Sequence, residues 1–190
     1  MNQDLIIPVT EPNNITHLYR KYINEMYAYG IGLGFEKNRC MDAIHDVFCK
    51  LFINENQIFE IENIKFYLFR SLKNRLIDID KQEKKIKHED INQYNFTIEV
   101  SIIDTIIDKE EKKNLEEKVN DLLNSLTSTQ REAIYLRYMQ EMEYEEIARL
   151  LDINPESARK LVYRGIDKLR KKTNINICFI LFLPISGINL

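Results

Sequence analysis

The chain has 190 residues, with 27 Lys and Arg against 30 Asp and Glu, so its formal net charge is −3. This length suits one domain of usual size or two small ones, and a hydrophobic content of 44% excludes a largely disordered chain. Only five Gly and four Pro interrupt the pattern, which favours helices, and the acidic total gives no general sign of nucleic-acid binding.

The charges are unevenly distributed along the chain. Residues 65–87 carry eight Lys/Arg against three Asp/Glu, and residues 155–172 carry seven against two. Residues 85–126 carry six against ten. Because local charge steers a polyanion, two basic segments separated by an acidic one keep nucleic acid among the candidate partners.

The pattern predicts an all-α fold of two small helical domains joined by a polar linker. The first helical module covers residues 14–85, the linker 86–107 and the second module 108–173, and residues 174–190 form an apolar tail of unknown role. We expect this tail to pack on the second module, although a regulatory contact is the alternative. Its apolar run of seven residues, 177–183, is far shorter than the roughly 20 needed to span a bilayer.

Residues for metal, cofactor or nucleophilic chemistry are not arranged in any recognisable pattern. Cys40, Cys49 and Cys178 fit no metal spacing, and the three histidines are scattered. No phosphate-binding glycine loop or nucleophile elbow occurs. We therefore expect no metal, no cofactor and no enzymatic activity and, since no secretory signal is visible, a cytoplasmic protein.

Three segments of the first module have the apolar spacing of amphipathic helices. Their inward positions are, in turn, Ile15, Leu18, Tyr22, Met26 and Tyr29; Met41, Ile44, Phe48 and Leu51; and Leu68, Leu72, Leu76 and Ile79. The outward face of the second helix carries Asp42, His45, Asp46 and Cys49.

The outward face of the third helix is mostly basic and amidic around one aromatic ring. Its members are Tyr67, Arg70, Asn74, Asp78 and Lys81. An aromatic ring, two cations and an amide in one row can stack on a base and hold phosphates. The row is equally consistent with an ordinary solvated helix face.

The second module opens with an amphipathic helix and a helix-start signal. The apolar positions of that helix are Leu115, Val119, Leu122, Leu123 and Leu126. Thr127 is predicted to cap the following helix, with Gln130 completing a capping box. That helix should bury some combination of Ala133, Ile134, Leu136 and Tyr138.

Residues 143–172 predict a helix-turn-helix arrangement. Ala148 lies inside a first short helix, Asp152 occupies the turn, and Asn154 with Pro155 starts the second helix. Ala148 must be small because the two helices cross closely there. Asp152 tolerates the left-handed backbone of the turn less well than Gly. Gly165 faces inward at a cost of about 1 kcal/mol in helix propensity, which predicts close packing against a neighbouring helix.

The outward face of the second helix of this pair fits DNA. Arg and Lys bind phosphates or guanine edges, and short polar residues near a helix N-terminus can reach bases. The residues are Glu156, Ser157, Arg159, Lys160, Tyr163 and Arg164. The final cluster of Lys168, Arg170, Lys171 and Lys172 could bind phosphate or simply complement the helix dipole.

The two modules together resemble an alternative sigma factor of bacterial RNA polymerase, in the sigma-70 family and its extracytoplasmic function (ECF) group. The stretch LTSTQREAIYLRYMQEMEYEEIARLLDINPESARKLVYRGIDKLRKK is similar to sigma region 4. DAIHDVFCKLF is similar to the docking helix of region 2, and YLFRSLKNRLID to its promoter-reading helix. Both sets occur in the family's order, over about residues 15–172.

The resemblance implies a function without covalent chemistry and a role for each face. The protein would bind core RNA polymerase, position it on promoter DNA, trap melted bases and be controlled by an anti-sigma factor, with no small-molecule substrate. The loop 52–65 would capture an unpaired base, and the acidic linker would enter the polymerase channel. The implied residues are Asp42, His45, Asp46 and Cys49 on the polymerase-binding face, Tyr67, Arg70, Lys73, Asn74 and Lys81 at the proximal promoter element, and the outward face of residues 156–164 at the upstream element.

A stand-alone helix-turn-helix regulator is the alternative interpretation. Its first module would serve dimerisation or sensing, and it would bind duplex DNA without polymerase. Such a protein has no reason to carry DAIHDVF together with YLFRSLKNRLID.

Overall fold

The computed structural model describes residues 15–54, 61–87, 94–98 and 109–172. Every regular element in these ranges is helical, which confirms the all-α prediction. The chain divides into two units, one comprising residues 1–30 and 35–89 and the other residues 31–34 and 90–190. No helix within the described ranges is long and apolar enough to cross a membrane.

The first unit is built from three helices, α1 (Ile15–Gly32), α2 (Lys37–Ile53) and α3 (Ile64–Lys87). Several of the predicted inward residues are fully buried, at 0% exposure: Met26, Tyr29, Ile44, Leu68 and Leu72. The spacing therefore identified the core of this unit.

Three predicted inward positions of the first unit, Ile15, Met41 and Ile79, are only partly buried. Cys40 and Val47, at 0% and 3% exposed, occupy the core of α2 instead. The buried stripe of α2 is therefore broader than the single row that the spacing predicted.

Ion pairs join the helices of the first unit at the edge of its core. Arg75 of α3 donates from Nε and Nη2 to Asp46 Oδ2 of α2, both at 2.7 Å. Lys65 of α3 lies 2.9 Å from Glu25 of α1, and Arg39 pairs with Glu83. These pairs are partly exposed, so each fixes helix orientation more than it stabilises the fold.

The second unit contains α4 (Lys109–Asn124), α5 (Ser128–Ile134), α6 (Tyr144–Leu151) and α7 (Pro155–Lys172). The capping box predicted for α5 is present: Gln130 N–H donates to Thr127 Oγ1 at 3.2 Å, and Thr127 N–H donates to Gln130 Oε1 at 3.1 Å. Val119, Leu123, Leu126, Ile134 and Leu169 form a buried cluster of α4, α5 and α7.

A π-helical turn continues α5 without a break. Tyr135–Met139 form one π-helical turn, and Gln140 N–H donates to Tyr135 O at 3.1 Å. Gln140 Nε2 also donates to the Tyr135 hydroxyl at 3.0 Å. Ala133, Ile134 and Leu136 are buried and Tyr138 partly so. The sequence predicted this helix, whereas its wider final turn was not foreseen.

A short segment within the predicted linker, residues 94–98, is held by side chains of α5. Ser128 Oγ accepts the Phe96 N–H at 2.6 Å and donates to Tyr94 O at 3.1 Å. Arg131, only 7% exposed, donates to Phe96 O, Leu123 O and Asn95 Oδ1 at 2.8–3.2 Å. These bonds satisfy both the irregular backbone and the buried guanidinium, which would otherwise be costly to bury.

Several predictions fall outside the described residues. They concern the apolar tail, most of the acidic linker and residues 55–60 of the loop expected to capture a base.

Candidate nucleic-acid interface

The turn between α6 and α7 has the geometry of a helix-turn-helix. Asp152 ends α6 in the left-handed conformation, with φ 54° and ψ 48°, as the sequence predicted. The N–H groups of Asp152 and Ile153 both donate to the carbonyl of Ala148, the latter at 3.0 Å. These bonds close the last turn of α6 and aim the chain into α7.

The start of α7 is fixed by the residues expected there. Asn154 Oδ1 accepts the N–H of Ser157 at 2.8 Å, which caps the helix, and Pro155 is its first residue. The axis of α7, and so the direction of its outward face, is set at this end.

Small residues let α7 approach its neighbours closely. Ala148 of α6 is 2% exposed and Ala158 of α7 is 0% exposed. A Cβ added to Gly165 would lie 2.6 Å from Ile134 Cδ1 of α5, well inside contact distance. The close packing predicted for Gly165 is therefore confirmed.

The outward face of α7 presents most of the predicted DNA-binding side chains to solvent. Tyr163 is 72% exposed, which is unusual for a large aromatic residue. Glu156, Arg159, Lys160 and Arg164 are exposed and Ser157 is half-buried. Lys160 Nζ lies 3.3 Å from Glu156 Oε1, so one predicted cation has an acidic neighbour one turn away.

Two arginines share the ring of Tyr144, a contact that the sequence analysis missed. The guanidinium carbons of Arg137 and Arg159 lie 4.9 and 5.3 Å from the centroid of this ring. Tyr144 is the first residue of α6, where a capping box of Glu143 and Glu146 fixes the backbone. Arg159 and Tyr144 are 15 positions apart, and helical spacing gives no signal at that separation.

The C-terminal turn of α7 is strongly basic and exposed. Arg170, Lys171 and Lys172 occupy it, and Lys171 Nζ lies 2.7 Å from Asp167 Oδ2. The hydrogen bond to Asp167 raises the pKa of Lys171, so this side chain is a persistent cation. Such charges complement the helix dipole and remain available to phosphates.

The predicted promoter-facing row of α3 is mostly exposed. Arg70, Asn74 and Lys81 are exposed, while Tyr67 and Lys73 are half-buried. Asn63, just before α3, accepts the Phe66 N–H through Oδ1 at 3.0 Å and so caps the helix. The row therefore begins at a fixed helix end.

The outward face of α2 combines polar and apolar groups. Asp42, His45 and Cys49 are exposed, and Phe48 is buried. His45 Nε2 lies 3.1 Å from the hydroxyl of Tyr19. Asp46 is engaged by Arg75, as described above, so it links α2 to α3.

An exposed apolar patch continues this face at the end of α2, in residues that the sequence prediction placed at the start of the base-capturing loop. Phe52 and Ile53 are 66% and 78% exposed, and with His45, Phe48 and Cys49 they line a shallow open pocket. Exposed large side chains next to each other are typical of protein-binding surfaces.

The helix-turn-helix and its basic outward face define a DNA-binding protein of the helix-turn-helix class. Within the described ranges, no group of three His, Cys, Asp or Glu is placed to hold a metal ion.

Comparisons with known proteins show which members of this class the chain resembles. The sigma-70 region 4 family model matches residues 116–169. The chain is 21% identical over 169 residues to the ECF RNA polymerase sigma factor SigM of Bacillus subtilis. The matched region covers 84% of this chain and 95% of that protein. It is 25% identical over 152 residues to the RNA polymerase sigma factor TcsR of Paraclostridium sordellii, covering 74% and 82%.

Solved structures share the fold. The sigma factor RpoE of Bartonella quintana, solved with the anti-sigma factor NepR, matches with a TM-score of 0.55 and 20% identity, covering 85% of this chain and 97% of that one. CnrH, solved with the cytosolic domain of CnrY, matches with a TM-score of 0.51 and 15% identity, covering 88% and 92%.

Residues 116–169 therefore match sigma-70 region 4, and the chain is homologous over most of its length to ECF RNA polymerase sigma factors. It is an alternative sigma factor, and the family comprises DNA-binding regulators of transcription initiation.

Proposed function

We propose that this sigma factor binds core RNA polymerase through α2 and reads two promoter elements through α3 and α7. The observation that carries the proposal is the exposed basic face of α7 on a helix-turn-helix whose turn, cap and close helix crossing are all present. The proposed domains are those predicted from the sequence, residues 14–85 and 108–173, and the proposed location is the cytoplasm.

The upstream element is read in the major groove by the outward face of α7. Arg159 and Arg164 contact phosphates or guanine edges, and Tyr163 supplies an apolar contact to bases. Glu156 and Ser157 lie nearest the helix N-terminus, where side chains reach base edges. The ion pair of Glu156 with Lys160 keeps the lysine along the helix until DNA replaces its partner.

The proximal element is held by the row on α3. Arg70, Lys73 and Lys81 bind phosphates, Asn74 hydrogen-bonds a base edge, and Tyr67 stacks on an exposed base. Binding energy of this kind offsets the few kcal/mol needed to unstack each captured base.

Core polymerase docks on α2. Asp42, His45 and Cys49 contribute the predicted contacts, and Phe52 with Ile53 adds apolar area that is exposed in the free chain. Asp46 acts indirectly, because its bond to Arg75 holds the promoter-reading helix α3 on the docking helix. Docking and promoter reading are thereby linked within one unit.

An anti-sigma factor is the proposed regulator. The structural relatives RpoE and CnrH were solved with NepR and with the cytosolic domain of CnrY, respectively. A partner that covers the apolar end of α2 would exclude core polymerase by competition.

Transcription in vitro tests the proposal. The protein is mixed with core RNA polymerase free of other sigma factors and with promoter-containing fragments of the source genome. We expect defined transcripts. The double variant Phe52→Ser/Ile53→Ser should lose core binding, and Arg159→Ala/Arg164→Ala should bind core polymerase normally but lose the transcripts.

Matched controls separate these effects from general damage. Phe52→Leu/Ile53→Val keeps the apolar surface, and Arg20→Ala/Lys118→Ala removes two exposed cations elsewhere; both should transcribe like the unchanged chain. Specific DNA binding without polymerase, together with no transcript from any fragment, would instead establish a stand-alone regulator.

A further inference from the structure

Tyr144 connects two cations that are separated in sequence. Its ring lies under the guanidinium groups of Arg137 and Arg159, with distances of 4.9 and 5.3 Å to the ring centroid. Both distances are within the roughly 6 Å over which a cation is attracted to an aromatic ring. Arg159 is on the outward face of α7, whereas Tyr144 and Arg137 lie outside that helix.

Two of the three groups are fixed before DNA arrives. Arg137 Nη1 donates to Met142 O at 2.7 Å and lies 3.2 Å from Glu143 Oε2. Tyr144 is half-buried and opens α6, next to the capping box in which Glu143 N–H donates to Glu146 Oε2 at 2.9 Å. The ring is therefore part of a rigid corner of the helix-turn-helix.

The Tyr144 ring restricts the conformations of the Arg159 side chain. A free arginine side chain loses conformational freedom when a partner immobilises it. Contact with a fixed ring removes part of that freedom in the unbound protein, so less is lost on binding. The delocalised guanidinium keeps its hydrogen-bond donors while its face rests on the ring.

We propose that Tyr144 is a positioning residue, which holds the Arg159 guanidinium in place for the upstream promoter element. The inference rests on the proposed role of α7 and adds a residue outside the recognition helix. Tyr144 acts through its ring and needs no base contact of its own. The hydroxyl is dispensable for this role, which distinguishes it from a direct phosphate contact.

The contact is tested first in the free full-length chain, where no polymerase or DNA is needed. NMR of arginine Nε–H groups is recorded, with Arg159→Lys identifying the Arg159 signal. Ring-current shielding should move this signal away from its ordinary position. Tyr144→Leu should return it there and Tyr144→Phe should not; an unchanged signal in Tyr144→Leu would overturn the proposal.

The consequence is then measured on promoter binding by holoenzyme assembled with core polymerase. Tyr144→Leu should weaken binding about two- to fivefold, the range expected for an exposed cation–ring contact. Tyr144→Phe should bind like the unchanged chain. In an Arg159→Ala background, Tyr144→Leu should cause no further loss, and core binding should be unaffected throughout.

The outcomes separate the inference from the proposed function. Loss in Tyr144→Phe, or an equal loss from Tyr144→Leu with and without Arg159, would show that Tyr144 acts independently and would overturn the inference alone. Absence of promoter binding by the unchanged chain would overturn the proposed function, and the NMR result would still decide the contact. Thermal unfolding of each variant identifies loss of fold, and Tyr27→Leu in α1 is the matched control.

Discussion

The outward faces of α2 and α7 have the same helical spacing but opposite chemistry. The face of α2 ends in Phe52 and Ile53, which are largely exposed, and its Asp46 is bonded to Arg75. The face of α7 presents cations around the exposed ring of Tyr163. Spacing alone selects outward positions; the type of partner is decided by the chemistry of those positions and by the bonds they already make.

Cysteine reactivity sharpens the comparison on the α2 side and has the largest expected effect. Cys40 is buried, and burial raises the pKa of its thiol from 9.0 to about 11, which lowers its thiolate fraction about a hundredfold. Cys49 is exposed on the docking face. In a Cys178→Ser chain, iodoacetamide should alkylate Cys49 at least a hundredfold faster than Cys40, measured by mass spectrometry.

Docking supplies the control for that experiment. Core polymerase should slow alkylation of Cys49 and leave the rate at Cys40 unchanged; equal rates with and without polymerase would contradict the proposed role of α2.

The raised pKa of Cys40 also makes the stability of the fold depend on pH. Its contribution to the free energy of unfolding is fully present below pH 9 and is lost as pH rises from 9 to about 11.

Gly165→Leu should disrupt the packing of α7 against α5 and leave α2 unchanged. The added side chain meets Ile134 in a closely packed interface, and overpacking of this kind costs about 1–3 kcal/mol or more. Hydrogen exchange should accelerate across α6 and α7 and remain unchanged in α2.

Gly165→Ala is the milder companion variant. Its Cβ is too close to one atom alone, Ile134 Cδ1 at 2.6 Å, which is the end of a side chain that can move aside. The gain of about 1 kcal/mol in helix propensity offsets this contact. If Gly165→Leu exchanged as slowly as the unchanged chain, the packing argument for this glycine would be wrong.

The Asp46–Arg75 pair tests which α2 side chains serve structure. The two side chains are 43% and 33% exposed, so we expect their coupling energy to be about 0.5–1 kcal/mol. A double-mutant cycle of Asp46→Ala and Arg75→Ala, followed by thermal unfolding, measures it. Asp42→Ala should leave stability unchanged, and a coupling energy of zero would make Asp46 an ordinary surface residue.

Asp152→Gly has an equally small expected effect and acts only on the α7 side. A glycine relieves the left-handed backbone at φ 54°, so the free energy of unfolding should rise by about 0.5–1 kcal/mol. Chemical denaturation measures this change. A decrease would mean that the aspartate side chain stabilises the turn by more than its backbone costs.

Local signals made much of the second unit predictable. Thr127 with Gln130, Asn154 with Pro155, and Gly165 each act over a few residues or through one close contact, and each lies where the sequence predicted. Glu141 shows the limit, because its positive φ of 55° follows the π-helical turn and has no signature in its own neighbourhood.

Contacts between distant positions could not be predicted. Arg131 reaches Asn95 and Phe96 across more than 30 residues, and Arg159 meets Tyr144 across a turn. A spacing rule for one helix carries no information about the second helix or loop that it meets. The same limit applies to Asp46, whose outward position was predicted but whose partner Arg75 was not.

The hydrogen bonds between α5 and residues 94–98 affect the choice of fragments for separate study of the second unit. A truncation starting at residue 108 would retain every helix of the second unit, yet it would remove two of the three acceptors of the buried Arg131 guanidinium and the ring that packs on Tyr135. Among these three acceptors the fragment keeps the Leu123 carbonyl alone, so it should unfold at a lower temperature than a fragment that includes residues 94–98. The shortest fragment that keeps these contacts of α5 therefore begins at or before Tyr94.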